Sequence, residues 1–174
     1  MLFTVRLREH ANPVTVKLLL AGVVVWAIAA GCFFRQTLMS SFDLMFGDRG
    51  DARMIVYLHE HLFQSLLGNA TFLSPAFFYP QANVLGFTDA FLLDAMPYAA
   101  LRAFGCDPFL SIQIEFIALS LPCFMASLVI CARYLKVRPV ISLCAAALIT
   151  FPNNLLYKTA IGHIVWCRPR VGWN

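Results

Sequence analysis

The sequence predicts an all-α, polytopic membrane protein with two to three transmembrane helices and interfacial helices in a long first extracytoplasmic loop. Three observations predict it. Of the 174 residues 60% are hydrophobic and only 13% charged, with sixteen phenylalanines and a mean hydropathy of +0.74. A soluble domain of that composition would expose large apolar patches to water. The apolar residues gather in uncharged runs close to the roughly 20 residues that a helix needs to cross hydrocarbon. Around the first two runs the few charges are sorted by loop, with basic connections on one side and an acid-rich loop on the other, whereas the tail after the third run, with Lys158, Arg168 and Arg170, fits this sorting poorly.

Taken in order, residues 1–17 are a short cytoplasmic N-terminus carrying Arg6, Arg8 and Lys17. Residues 18–34 form the first span, with Lys17 able to snorkel from its inner edge. The basic start, the apolar core and Ala29-Ala30-Gly31-Cys32 also resemble a signal peptide with a lipoprotein-type cleavage box. Ala29 stands where leucine is usual and further spans follow, so the segment reads as a retained span. Residues 35–107 are the outer loop. A second span lies in the helix 108–132, with Pro122 a tolerable kink between packed helices. A basic connection, 133–138, holds Arg133, Lys136 and Arg138, and a third, weaker span covers 139–157, interrupted by Pro152, Asn153 and Asn154. The tail, 158–174, is basic and no longer resembles membrane sequence.

Orientation follows from lysine and arginine in the short loops, which favour the cytoplasm. The long loop holds Asp43, Asp48, Asp51, Glu60, Asp89, Asp94 and Asp107 against Arg35, Arg49, Arg53 and Arg102, and is therefore placed outside. The net charge of +4 is a topology signal. No basic stripe interleaved with aromatics supports nucleic-acid binding. The six cysteines show neither metal spacing nor a disulfide framework. Cys106 and Cys167 are expected on the same side, but nothing requires them to pair.

Within the loop, Ile55, Leu58, Leu62 and Leu66 recur at helical spacing, with Arg53, Glu60 and Gln64 on another face. The expected helix is 52–67, capped by Asp51 and closed by Gly68. Phe72, Pro75, Phe77-Phe78-Tyr79-Pro80 and Asn83 form an aromatic connector suited to the headgroup level. A second helix is expected at 90–104, opened by Thr88-Asp89, bent by Pro97 and closed by Gly105. Asp107-Pro108 then pairs an N-cap with a first-turn proline to start the next.

The chemistry concentrates in Gly47-Asp48-Arg49-Gly50-Asp51-Ala52-Arg53. Asp51 is accounted for equally well as a helix cap. Asp48 lies ahead of the helix, free to reach a substrate hydroxyl as general base or a metal. The two carboxylates can instead hold a divalent cation, Mg or Mn, against a phosphate leaving group. Arg49, Arg53 and Arg102 supply forked donors for that phosphate, and Asp89 is a further substrate-binding candidate. His59-Glu60-His61 is not a zinc pair, because neighbouring helical residues point about 100° apart. Glu115, near the entry to the second span, is either interfacial or faces a cavity or partner.

The order Gly47-Asp48-Arg49-Gly50-Asp51, Leu58-His59-Glu60-His61, Phe77-Phe78-Tyr79-Pro80, Asn83, Asp89 and Pro97-Tyr98 resembles the start of bacterial multi-pass membrane glycosyltransferase-like proteins of the GT-C type. The likeness covers residues 14–163. It implies sugar transfer from a polyprenyl-phosphate donor at the outer face of the bacterial inner membrane, with Asp48 serving the active site and Asp51 and Asp89 carrying over less directly. Such proteins have many more spans. The chain therefore reads as the N-terminal portion of one, truncated or frameshifted in its tail, inactive alone and lacking the helices that would complete a donor cavity. The competing readings are a small non-catalytic membrane subunit packed against a larger partner and, more weakly, a transporter resting on Glu115 and the broken third segment.

Overall fold

The computed structural model describes residues 16–45, 51–87, 91–151 and 166–167. They are mostly helical, with only two-residue strands. The first apolar run forms α1, Val16–Phe33, followed by a short α2, Arg35–Met39. The Asp107-Pro108 pair starts α5, Pro108–Val129, as expected. Asp107 is extended, its carboxylate accepts from the Phe109 and Leu110 amides, and Pro108 occupies the first helical position. α5 runs Pro108–Val129 through Pro122 and ends in a π-helical turn, Ile130–Tyr134. Helix α6, Pro139–Thr150, begins on a proline and covers the first part of the expected third span. Residues 152–157 of that span lie outside the described residues.

Among the described residues two helices are long and apolar enough to cross a membrane, Val16–Phe33 and Pro108–Tyr134. α5 packs against both α1 and α6, making a three-helix bundle around Phe34, Phe124, Leu128, Ala146 and Phe151. The α1–α5 contact is close. A Cβ added at Gly22 would sit 2.6 Å from Leu128 Cδ2 and 3.4 Å from Met125 Sδ. Across the same interface Trp26 Nε1 donates to Ser120 Oγ at 2.9 Å. Outward, Val16, Leu20, Val24 and Ile28 form an exposed stripe at four-residue spacing on α1.

A second layer rests on the N-terminal part of α5. It consists of α3, Asp51–Leu66, and α4, Ala95–Ala103, packed on each other and on α5. Both close as the sequence indicates. Gly68 and Gly105 take φ of +80° and +88°, a region that favours glycine. Each donates to the carbonyl three residues back, Ser65 and Arg102, while Asn69 and Cys106 bond to Gln64 and Leu101. These are Schellman caps. Strand β1, Leu44–Met45, pairs antiparallel with β2, Trp166–Cys167, with Leu44 opposite Cys167.

Three expectations need correction. Helix α4 begins at Ala95 with Asp94 ahead of it, and not at residue 90; Thr88-Asp89 lies outside the described residues. Pro97 is consequently in the first turn, where its missing N–H has no intrahelical partner to lose, so the proline has no interior hydrogen bond to break. Leu66, assigned to the apolar face of α3, is 75% exposed, whereas His59 and His61, one of them in register with the polar face, are buried. The buried surface of α3 is wider than one stripe because α4, α5 and the following connector all cover it.

Candidate functional site

The outer face of α3 carries Arg53, Tyr57, Glu60 and Gln64 at spacings of four, three and four, one continuous stripe. Together with the connector 69–76 and the start of α5 at Pro108 and Phe109, this stripe bounds a groove of about 540 Å³. The connector is held over α3 by hydrogen bonds. The Ala76 amide donates to Tyr57 Oη at 2.7 Å, His61 Nε2 donates to the Phe72 carbonyl at 3.1 Å, and Asn69 Nδ2 donates to Gln64 Oε1 at 2.9 Å. The connector is braced in turn by Asn83, whose amide donates to Ser74 Oγ at 3.0 Å.

Glu60 is the most heavily bonded side chain of this wall. Arg102 grips it with both arms, Nε to Oε2 at 2.8 Å and Nη2 to Oε1 at 3.0 Å. Tyr98 Oη donates to Oε2 and Gln64 Nε2 to Oε1, each at 2.8 Å. Burial alone would push this carboxyl upward, but the bonds from Arg102, Gln64 and Tyr98 outweigh it and hold Glu60 below the usual carboxylate range. Donating to Glu60 in turn holds the Arg102 guanidinium above its ordinary value against burial. Burial, then the Glu60 charge, pushes the Tyr98 phenol far up, so it remains a donor. The third guanidinium nitrogen of Arg102 donates to the Cys106 carbonyl, and the Arg102 Cζ lies 5.4 Å from the centre of the Phe63 ring.

On the opposite side of α3, His59 enters the interface with α5. Its Nδ1 donates to the Ile55 carbonyl at 2.8 Å, and Nε2 lies 3.3 Å from Glu115 Oε1. Both residues are 1% exposed. The Phe91 ring stacks on the imidazole at 5.8 Å and Tyr98 meets it edge-on at 5.3 Å. Glu115 thus faces a partner within the chain.

Of the residues singled out in the sequence, Arg53 lines the groove. Arg102 stands behind it, its guanidinium occupied by Glu60. Asp51 is the first residue of α3, at the Arg53 end of the groove stripe. The Asp51 side chain, together with Asp48, Arg49 and Asp89, lies outside the described residues. His59 and His61 diverge as helical geometry requires, and among the described residues no group of three or more His, Cys, Asp or Glu is placed to hold a metal. Cys106 is a free thiol.

The Glu60–Arg102–Tyr98 network and the His59–Glu115 couple were not identified from the sequence as interaction partners. The one local signal was Gln64 at four residues from Glu60; Tyr98 and Arg102 are 38 and 42 residues from Glu60, and Glu115 is farther still from His59. Compared with protein-family models, curated proteins and solved structures, the chain matches none.

Proposed function

We propose that this chain is an integral membrane protein of glycosyltransferase-like type, or the N-terminal portion of one, and that its groove receives the phosphate-bearing end of a polyprenyl-linked sugar at the outer membrane face. What supports the reading is the position of the groove. It opens along α3 directly after the Gly47-Asp48-Arg49-Gly50-Asp51 segment, in a layer seated on the end of an apolar bundle, and Arg53 lines it. In this reading Arg53, with Arg49, binds the phosphate, Asp89 assists substrate binding, and Asp51 serves the chemistry beside Asp48, the two carboxylates being the pair that would hold a divalent cation, Mg or Mn. Asp48 takes the proton of the acceptor hydroxyl as that oxygen bonds to the anomeric carbon and the polyprenyl phosphate departs. Arg102 serves indirectly, by fixing Glu60 in the wall.

The exposed apolar stripe of α1 and the exposed Val140, Ile141, Leu148 and Ile149 of α6 favour a second reading. In it the chain is a non-catalytic subunit whose bundle packs against a larger membrane partner.

Binding of polyprenyl phosphate and of the uncharged polyprenol to the chain in lipid nanodiscs separates the two. The first reading expects the phosphate to bind more tightly, and Arg53→Ala to weaken it by about tenfold while leaving the alcohol unchanged, the worth of one charge-assisted contact. Equal binding of phosphate and alcohol, or labelling of a cysteine at position 48 only from the cytosol, overturns it.

A further inference from the structure

We propose that the outward face of α4 is a lipid contact, with Leu92, Leu93 and Met96 at the boundary between headgroups and acyl chains of the outer leaflet. The two faces of this helix differ in what they meet. Ala95 packs with Leu58 and Leu62 of α3, Tyr98 packs with Ile112 of α5, and Arg102, in register with both, holds Glu60. On the other side Leu93, Met96, Ala100, Ala103 and Phe104 follow one another at helical spacing. All five are exposed, Leu93 by 82% and Met96 by 69%, and none is polar.

Depth decides what covers this stripe. The helix from Pro108 to Tyr134 has 27 residues. At 1.5 Å per residue it is about 40 Å long, against about 30 Å of hydrocarbon. Its last turn carries Arg133, and Lys136 and Arg138 follow, a cluster that belongs at the cytoplasmic surface. Counting about 20 residues back from Arg133 puts the outer boundary near Gln113, so residues 108–114 project about 10 Å beyond it. The contacts of α4 give its own level. Phe91 stacks on His59, whose Nε2 lies 3.3 Å from Glu115 Oε1, and Tyr98 reaches Ile112. At the opposite end Arg102 donates to the Cys106 carbonyl, just ahead of α5. Helix α4 therefore runs back along the projecting turns of α5, with its N-terminal end at the boundary and Phe104 about 10 Å nearer the water.

Asp94 limits how far that end descends. It is exposed, lies near Glu115 and is the one charge between Phe91 and Leu101. A carboxylate in hydrocarbon is costly, so Asp94 keeps to the headgroup layer while its apolar neighbours enter the acyl edge. The helix so fastened is the one whose inner face holds Glu60, and the groove wall is thereby set at a fixed height above the acyl chains. The inference rests on the membrane reading above and is independent of what the groove binds.

Photo-crosslinking of the full chain in phosphatidylcholine nanodiscs tests it, with benzoylphenylalanine placed singly at positions 93, 96 and 104 and, on α1, at the exposed position 24. Acyl-chain adducts are quantified by peptide mass spectrometry. Positions 93 and 96 are expected to give yields within about threefold of position 24 and at least about threefold above position 104, since acyl chains thin out over about 10 Å of the interface. Adducts at 24 with none at 93 and 96 overturn the lipid contact and leave the membrane reading standing. A face that awaits a protein partner gives that same result, because it stands in water in a disc holding lipid alone. Adducts at none of the four positions overturn both, and equal yields at 93 and 104 overturn the depth assigned to α4.

Discussion

Replacing Arg102 by methionine tests whether the groove wall is built on one ion pair. The substitution removes two charge-assisted hydrogen bonds to Glu60, one to the Cys106 carbonyl and the contact over Phe63, while keeping an unbranched stem. The Glu60 and Arg102 side chains are 17% and 18% exposed, so solvent screening is limited. Net contributions of bonds to charged groups are about 1.5–3 kcal/mol, and the ring contact adds about 0.5–1 kcal/mol. Glu60 keeps Tyr98 and Gln64 as donors, which spares it the full penalty of an orphaned buried charge. The expected loss is about 3 kcal/mol. Glu60→Gln is expected to cost about 2 kcal/mol, because four donors converge on the carboxylate and an amide offers one acceptor oxygen to them. Since both changes break the same contacts, the double variant is expected to lose about 2 kcal/mol less than the sum of the singles. Reversible unfolding in mixed micelles, followed by far-ultraviolet circular dichroism, measures all three. A coupling energy below about 0.5 kcal/mol would show that the two side chains do not meet, and the account of the wall would fail.

Glu60 is held low in the folded chain, so its stabilisation is present above the ordinary carboxylate value of about 4.3 and is lost as pH falls through its folded value. Unfolding midpoints measured down that range should decline for the wild type and less steeply for Glu60→Gln. Gly22 and Gly31 on α1 should respond with opposite signs. Gly22→Ala drives a Cβ into the buried Leu128 and should destabilise by about 1–2 kcal/mol after the gain in helix propensity, whereas Gly31→Ala meets nothing within 4 Å and should stabilise by up to about 1 kcal/mol in thermal unfolding. Asp107→Ala should cost about 1 kcal/mol and Asp107→Asn much less, since the cap needs an oxygen acceptor more than a charge; equal losses in the two variants would remove the cap as the cause.

What the sequence disclosed was local. Uncharged runs located α1 and α5, Asp107-Pro108 located the start of α5, and Gly68 and Gly105 located two helix ends, because each feature acts on backbone within a turn of itself. The limits of α4 were misjudged for the same reason. Pro97 suits a first turn as well as an interior bend, and only the packing of Ala95 and Tyr98 against neighbouring helices decides between them. The site was less legible. Arg53, Glu60 and Gln64 shared a face by spacing alone, but the partner of Glu60 lies 42 residues away, and no periodicity reveals which arginine arrives there. Nothing in the sequence marked His59 as an interface residue, and a histidine with a carbonyl on one nitrogen and a carboxyl facing the other can be buried.

The two polar contacts of α3 do together what its apolar residues cannot do alone. Hydrophobic burial is non-directional, and Leu58, Leu62 and Val56 would tolerate a modest rotation of the helix about its axis. His59 and Glu60 are adjacent, so their side chains diverge by about 100°, one toward Glu115 on α5 and the other toward Arg102 on α4. A rotation that improves one contact withdraws the other, and the azimuth of α3 is fixed by the pair of them. Arg53, almost two turns before Glu60, inherits that azimuth and with it its place in the groove. A volume-conserving change such as Leu62→Met should therefore leave the groove as it is. Glu60→Gln combined with Glu115→Gln should loosen the position of Arg53 without emptying the apolar core. Spin-label distances from position 53 to α5 that broaden in the first variant and stay sharp in the second would mean that side-chain packing, and not the divergent polar contacts, sets the helix.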